Sequence, residues 1–288
     1  MNLKSKFAIA LTVFCSIVFV GCGDDNSSSV NGASVNIENS SSSFESSSSI
    51  PSNNIAESSS SSFEKTWSRL NPEINYGEFV DERDGQVYKT TKIGNQVWMA
   101  ENLNYSDKEK TPSLVDRSSC YYNDLLNCQK YGRLYTWAAM IDSVKLFNDK
   151  ENPQKCGFGE FCTLPAKIQG ICPKGWHVPD TTEWVELFNA VGGKDVAARI
   201  LKSKDGWRDW DDERVENSID SVGFSGLAGG GRNGNGYFSE EGHIGCFWSA
   251  VQEDEILAYG VGLGFEGDFA GMDHAYKHYE FSVRCLKD

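Results

Sequence analysis

From Trp176 onward, apolar and polar positions alternate so as to mark three elements in a row. Trp176, His177 and Val178 form a short aromatic and β-branched run that Pro179 stops, which predicts a strand. Asp180 sits where a helix N-cap belongs, and Glu183, three residues on, is spaced to reach back to the cap's own amide. Trp184, Leu187, Phe188 and Val191 fall at i, i+3, i+4 and i+7, one apolar stripe on a helix. Gly192 and Gly193 supply the left-handed backbone that a helix C-terminus needs. Cys172, at the entry, ties this unit to a distant part of the chain.

The same patterning extends outward. Residues 86–93 are rich in Val, Tyr and Thr, and Gly94-Asn95 separates them from residues 96–100, so the pair predicts a hairpin. Residues 131–146 place Leu134, Trp137, Ala138, Ile141 and Val144 or Lys145 at near-helical spacing and predict one amphipathic helix. Residues 148–170 read as an irregular excursion, and Val196, Ala197, Ile200 and Leu201 as a short helix. Loops follow: residues 205–220 are polar and acidic but carry Trp207 and Trp210, and residues 224–245 are rich in glycine. Phe247-Trp-Ser249, the alternation of Tyr259, Val261, Leu263 and Phe265, and that of Phe281, Val283 and Cys285 predict strands. Two or three helices ahead of a set of strands give an α+β domain with an antiparallel sheet.

The start of the chain has another character. Lys4 and Lys6 precede an apolar run over residues 7–20, the length of a signal-peptide core rather than a membrane span. Phe-Val-Gly-Cys at its end resembles a bacterial lipobox, so residues 1–21 are expected to be a signal peptide and Cys22 the lipidated residue. Residues 22–65 are dominated by serine, with Ser-Ser-Ser-Phe-Glu at 41–45 and again at 60–64. Such a segment buries too little apolar surface to offset its entropy and reads as a disordered tether, with a span of about 35 Å as a flexible coil. The expectation is a head domain, residues 66–288, on a lipid-anchored leash in the cell envelope, at the outer membrane or cell surface.

Charge and cysteines narrow the head's chemistry. A net charge of -14 without a basic cluster argues against nucleic acid and against an electrostatic grip on anionic lipid. Seven cysteines follow Cys22, and in an exported chain they suggest disulfides with one thiol left over. Cys120 with Cys128 and Cys156 with Cys162 each close a short polar or glycine-bearing loop. Cys172 with Cys285 then joins the central unit to the last strand, leaving Cys246. No spacing is that of a zinc ribbon.

Several stretches resemble a known family: Asp84-Gly-Gln-Val-Tyr88, Gly94-Asn-Gln-Val-Trp-Met-Ala-Glu-Asn-Leu-Asn104, Tyr131-Gly-Arg-Leu-Tyr-Thr-Trp-Ala-Ala139, Gly170-Ile-Cys-Pro-Lys-Gly-Trp-His-Val-Pro179, Val222-Gly-Phe-Ser-Gly-Leu227, Phe247-Trp-Ser249 and Ser282-Val-Arg-Cys285. Together they resemble the Fibrobacter succinogenes major paralogous domain of surface lipoproteins, over about residues 81–288. Val178-Pro-Asp-Thr-Thr-Glu-Trp184 is also similar to a signature of formylglycine-generating enzymes, which implies a C-type-lectin-like fold. Fold travels further than function in such a resemblance.

Enzymatic readings find little support in the residues. The late thiols Cys246 and Cys285 do not make the reactive pair of a formylglycine-generating enzyme if Cys285 is in a disulfide, and no Gly-x-Ser-x-Gly elbow appears. His274 and His278, beside Asp273 and Glu280, would form a metal site on a helix, but a solvated polar loop fits the sequence better. Asp209, Asp211, Asp212 and Glu213 carry the oxygen ligands calcium prefers, yet read by default as a solvated acidic loop. The glycine-rich run lacks the Gly-Lys-Ser/Thr of a phosphate cradle, with Arg232 projecting from it. Trp98, Trp137, Trp176, Trp184 and Trp248 lie in strand or helix patterns and belong to the core. Trp207, Trp210, Tyr237 and Phe238 lie in polar or glycine-rich loops, where an exposed ring can stack on a ligand, though core-filling is as good a reading of each. The function read from the chain is therefore a non-enzymatic binding domain for carbohydrate or an envelope protein, with no cofactor. The alternatives are a metal- or thiol-dependent enzyme and a purely structural envelope component.

Overall fold

The computed structural model describes residues 69–268 and 270–288. The expected signal peptide, Cys22 and the serine tether lie outside the described residues. The chain opens with strands β1 (Gly77–Val80), β2 (Val87–Ile93) and β3 (Gln96–Met99), the last two forming the hairpin expected around Gly94. Strand β4 (Ser118–Ser119), helix α1 (Leu125–Tyr131), strand β5 (Leu134–Thr136) and helices α2 (Trp137–Met140) and α3 (Ser143–Phe147) follow. Strand β6 (Trp176–His177) leads into α4 (Thr181–Ala190) and α5 (Lys194–Leu201). The rest is strand: β7 (Gly229–Arg232), β8 (Phe238–Glu241), β9 (Ile244–Gln252), β10 (Leu257–Gly264), β11 (Ala270–Tyr276), β12 (Glu280–Ser282) and β13 (Leu286–Lys287).

The α+β class holds, with two sheets and five short α-helices among the described residues instead of one sheet and two or three helices. The smaller sheet has the order β1-β2-β3-β13-β6, so the end of the chain is inserted between the hairpin and the central unit. The larger runs β11-β10-β9-β7-β12-β5-β4, with β8 on β7. Most pairs are antiparallel, but β9 lies parallel to β7 and to β12.

The central unit folds as its sequence reads. Asp180 accepts from the Glu183 amide at 2.8 Å, and Glu183 Oε2 accepts from the Asp180 amide at 3.0 Å, closing the capping box. Trp184, Leu187, Phe188 and Val191 are buried. Residues 131–146 depart from expectation. The predicted helix is cut by Gly132 at φ 76° and by Asp142 at φ 55°, and Thr136 starts a new helix by accepting from the Ala139 amide at 3.2 Å. Near-helical spacing arose there because a strand and short helices are buried on several sides, not on one stripe. The Gly229-Gly-Gly231 stretch, expected within a loop, is itself part of strand β7. Gly230 sits at φ 60°, and a Cβ on it would lie 2.2 Å from the Ser239 carbonyl, so only glycine lets β8 approach. His274, expected in a loop, stands on β11 facing Tyr259 of β10, ring centroids 4.6 Å apart.

Two apolar clusters fill the interior and share β9. Cys246, Trp248 and Ala250 point into one, with Trp137, Trp176, Phe281 and Val283. Phe247 points into the other, with Trp98, Trp184, Phe224, Val261 and Leu263. A strand buried on both faces explains why Ile244–Val251 reads as a continuous apolar run rather than an alternation.

Arg284 lies wholly buried among these parts. Its guanidinium donates to Asn102 Oδ1 at 2.7 and 3.0 Å, to the Met99 carbonyl at 3.1 Å and to the Phe224 carbonyl. Its plane also lies 4.4 Å from the Phe224 ring. Burial pushes its pKa down to about 9, with Glu101, Asp220 and Tyr76 acting in the opposite direction, so the group still carries its charge at neutral pH.

All three expected disulfides are present, Cys120–Cys128, Cys156–Cys162 and Cys172–Cys285, and Cys246 is a buried thiol outside them. Cys172–Cys285 spans 113 residues; restricting so long a loop in the unfolded chain contributes about 4–5 kcal/mol on the chain-entropy model.

His177 locks the end of the chain to α4. Its ring nitrogens meet Glu183 Oε1 at 2.9 Å and Asp288 Oδ1 at 2.7 Å. Burial opposes its charge, but the hydrogen bond and charge of Glu183, and then Asp288, outweigh it and raise the pKa above the usual histidine value. A raised pKa in the folded state gives stability that is complete below the unfolded histidine value and is lost as pH rises through the folded one. The melting temperature is therefore expected to fall as pH rises above the unfolded histidine value of about 6.5, and His177→Gln to flatten that fall. Parallel pH profiles for the two proteins in thermal melts would rule this contribution out.

Candidate functional site

Strand β7 and β8 form a hairpin whose turn is built by one buried residue. Asn233 Oδ1 accepts from the amides of Asn235 and Tyr237, both at 3.0 Å, and its own amide donates to the Tyr237 carbonyl at 2.9 Å. This holds the turn rigid and turns the Tyr237 ring outward, 67% exposed. Arg232, just before the turn, lies opposite Glu280 of β12 and forms an ion pair with it. Glu280 is buried and also accepts from Ser119 Oγ on β4. The pair is therefore part of the wall, fixed from three strands.

Beside it opens a cleft of about 550 Å³. One side is this hairpin. The other is the loop closed by Cys156–Cys162, which presents Phe158, half exposed, and Glu160. Lys277 forms the floor: its ammonium donates to the Glu160 carbonyl at 3.0 Å and to Gln252 Oε1 at 2.8 Å, 4.7 Å from the Trp137 ring. Burial lowers its pKa to about 8 despite Asp254 and Glu255. His278 follows, its ring packed against the edge of Phe158 at 4.3 Å and stacked on Tyr276 at 5.4 Å. Burial lowers the His278 pKa, so the imidazole is neutral at neutral pH. Asp116, Arg117 and Lys155 also line it.

An aromatic rim adjoins the cleft. The Arg232 guanidinium lies 5.4 Å from the Phe238 ring, which packs against Tyr121 at 5.2 Å and Tyr122 at 5.5 Å. Tyr122 is 66% exposed and is held outward by a left-handed backbone at φ 52°. Of the residues the sequence proposed, Arg232 lines the cleft and Phe238 packs against it, while Tyr237 stands exposed beside the turn whose Asn233, Gly234 and Gly236 line the cleft. Lys277 and His278 line the cleft and Tyr122 packs on Phe238 beyond it, none of them having been singled out as a group; the Cys120–Cys128 loop, short and bearing paired tyrosines, was the available signal for Tyr122.

The tryptophans separate. Trp210 is 63% exposed and stacks on His243 at 4.4 Å, in the turn at the opposite end of β8 from Tyr237. Trp207 is not available to a ligand. It is 1% exposed, closes the second core, and donates its indole N–H to Ser203 Oγ at 3.2 Å. A polar loop must still seal the core it crosses, and Trp207 does so. In the acidic loop, Asp209 Oδ1 accepts from the amides of Asp211 and Glu213, and Asp212 pairs with Arg208. Among the described residues no three His, Cys, Asp or Glu side chains gather as a metal site.

The family model described as the Fibrobacter succinogenes major domain matches residues 91–287, and the chain belongs to that family. No curated protein and no solved structure matches it.

The tightest approach in the cleft gives its test. A Cβ on Gly234 would lie 2.1 Å from His278 Cδ2 and 2.2 Å from Nε2. Gly234→Ala is expected to cost about 1–3 kcal/mol, the usual range for overpacking, and to raise the His278 pKa toward the ordinary value as the ring is displaced into water. Gly234→Ala combined with His278→Ala should recover most of the loss. Urea unfolding and a histidine titration by NMR check this, and full stability of Gly234→Ala alone would contradict it.

Proposed function

We propose that this protein is a lipid-anchored, extracytoplasmic lipoprotein whose head is a non-enzymatic, C-type-lectin-like binding domain for carbohydrate. Anchoring through Cys22 and display at the envelope rest on the leader and serine tether. The lectin-like fold rests on the resemblance around residues 178–184 and on the α+β architecture braced by disulfides.

The observation that carries the ligand class is the pairing of a polar, hydrogen-bonding cleft with exposed flat rings at its rim. Sugars present hydroxyls on their edges and C–H faces above and below. A site that suits them offers polar groups on one wall and aromatic faces on another. Arg232, Asn233, Lys277 and Glu280 line the cleft and supply the first; for the second we take Phe238, packed on Arg232, with Tyr122 packed on Phe238 and Tyr237 exposed on the adjoining turn. Tyr122 and Tyr237 are largely exposed, so stability does not require their rings.

A glycan array, followed by calorimetry on the polysaccharides that bind, tests the reading. Tyr237→Ala with Tyr122→Ala is expected to weaken binding by about ten-fold or more, the usual cost of removing interface tyrosines, with an unchanged melting temperature. Binding unaffected by the double substitution would remove this cleft as the site.

A further inference from the structure

The charge around the cleft is not that of the rest of the chain. Against a net charge of -14, the lining holds four cations, Arg117, Lys155, Arg232 and Lys277, and three carboxylates, Asp116, Glu160 and Glu280. Two of those carboxylates are already engaged. Glu280 is held by Arg232 and Ser119, and Glu160 by Lys155 at 2.6 Å. Two of the cations are not matched in this way. Among the described residues Lys277 hydrogen-bonds only to a carbonyl and a side-chain amide oxygen. Arg117 is exposed, donates to Ser143 Oγ at 3.2 Å, and forms no ion pair among the described residues. Asp116 is the one lining carboxylate that remains outside an ion pair among the described residues. The balance available to a ligand is one positive charge in an otherwise acidic protein.

The geometry points to a carboxylate-bearing sugar, a uronic acid within a polysaccharide, as the ligand class of this cleft. This rests on the carbohydrate reading of the same site and adds the charge of the sugar. Arg117 is the residue that meets the carboxylate: a guanidinium offers two parallel N–H donors to a carboxylate's two oxygens, and its side chain is not needed to hold the fold. Lys277, fixed at the floor, adds a positive potential in a place where water is partly excluded and screening is weak. An acidic polymer that is repelled by the protein as a whole is thereby admitted at one place, which raises specificity rather than bulk affinity.

The test uses the folded protein with its disulfides intact and three probes measured by calorimetry: polygalacturonate, its fully methyl-esterified form, and a neutral β-1,4-glucan oligosaccharide. The ester keeps the backbone and removes the charge. Polygalacturonate is expected to bind at least about ten-fold more tightly than its ester, the worth of a charge-assisted hydrogen bond, and to weaken as salt is raised. Arg117→Gln should reduce the acid's affinity to near that of the ester and leave the ester unchanged. Equal binding of acid and ester, or an acid affinity indifferent to Arg117→Gln, overturns the uronate assignment while leaving the carbohydrate reading in place. Tighter binding of the neutral oligosaccharide than of the acid does the same. No binding by any of the three overturns the assignment and, if the glycan array is also blank, the carbohydrate reading with it.

Discussion

A single buried guanidinium holds the architecture together. Arg284 leaves water entirely, which is costly for a charge unless its donors are satisfied. Here they are satisfied by a carbonyl from the hairpin strand β3, a carbonyl from the loop ahead of β7, and the side chain of Asn102. Asn102 in turn donates to the Tyr131 carbonyl and to Ser282 Oγ. One residue thus links the small sheet, the large sheet and the end of α1. The next residue, Cys285, is bonded to Cys172 at the entry to the central unit. Removing the cation would strand three buried acceptors at once, which is why the constraint is structural rather than a local preference.

That constraint positions the cleft. With β13 held inside the small sheet and β12 inside the large one, Lys277 and His278 are delivered to the end of β12, and Glu280 to its place opposite Arg232. The remaining wall comes from a loop that a short disulfide keeps compact, and the turn opposite it is stiffened by Asn233. The side chains around the cleft are therefore carried by loops whose ends are fixed by strands, which keeps those loops ordered.

How much of this was legible in the chain follows from the range of each interaction. The capping box of Asp180 and Glu183, the Gly94 hairpin and the two short disulfides are local, and the residues that make them declare themselves. Cys172–Cys285 is distant: pairing the two short loops leaves Cys172, Cys246 and Cys285, and the sequence alone does not fix which two of them join. The cleft was legible only in part. Arg232, Tyr237 and Phe238 stood out because rings and a cation lay in a glycine-rich stretch, yet Arg232 and Glu280 are 48 residues apart and pair only because β7 and β12 are neighbours. Trp207 misled for the opposite reason: its polar surroundings in sequence say nothing of the core beneath the loop. In residues 131–146, spacing imitated a helix because several sides are buried, and only Gly132 and Asp142 marked the breaks.

With Arg284 at their centre the described residues should open as one cooperative body, and native-state hydrogen exchange reads this most directly. The Leu103 amide, which donates to the Val283 carbonyl, and the amides of β9 and β10 in the large sheet should exchange through one common opening, with the same free energy and the same denaturant dependence. Protection that divides into two sets, the small sheet opening while the large sheet stays closed, would contradict it.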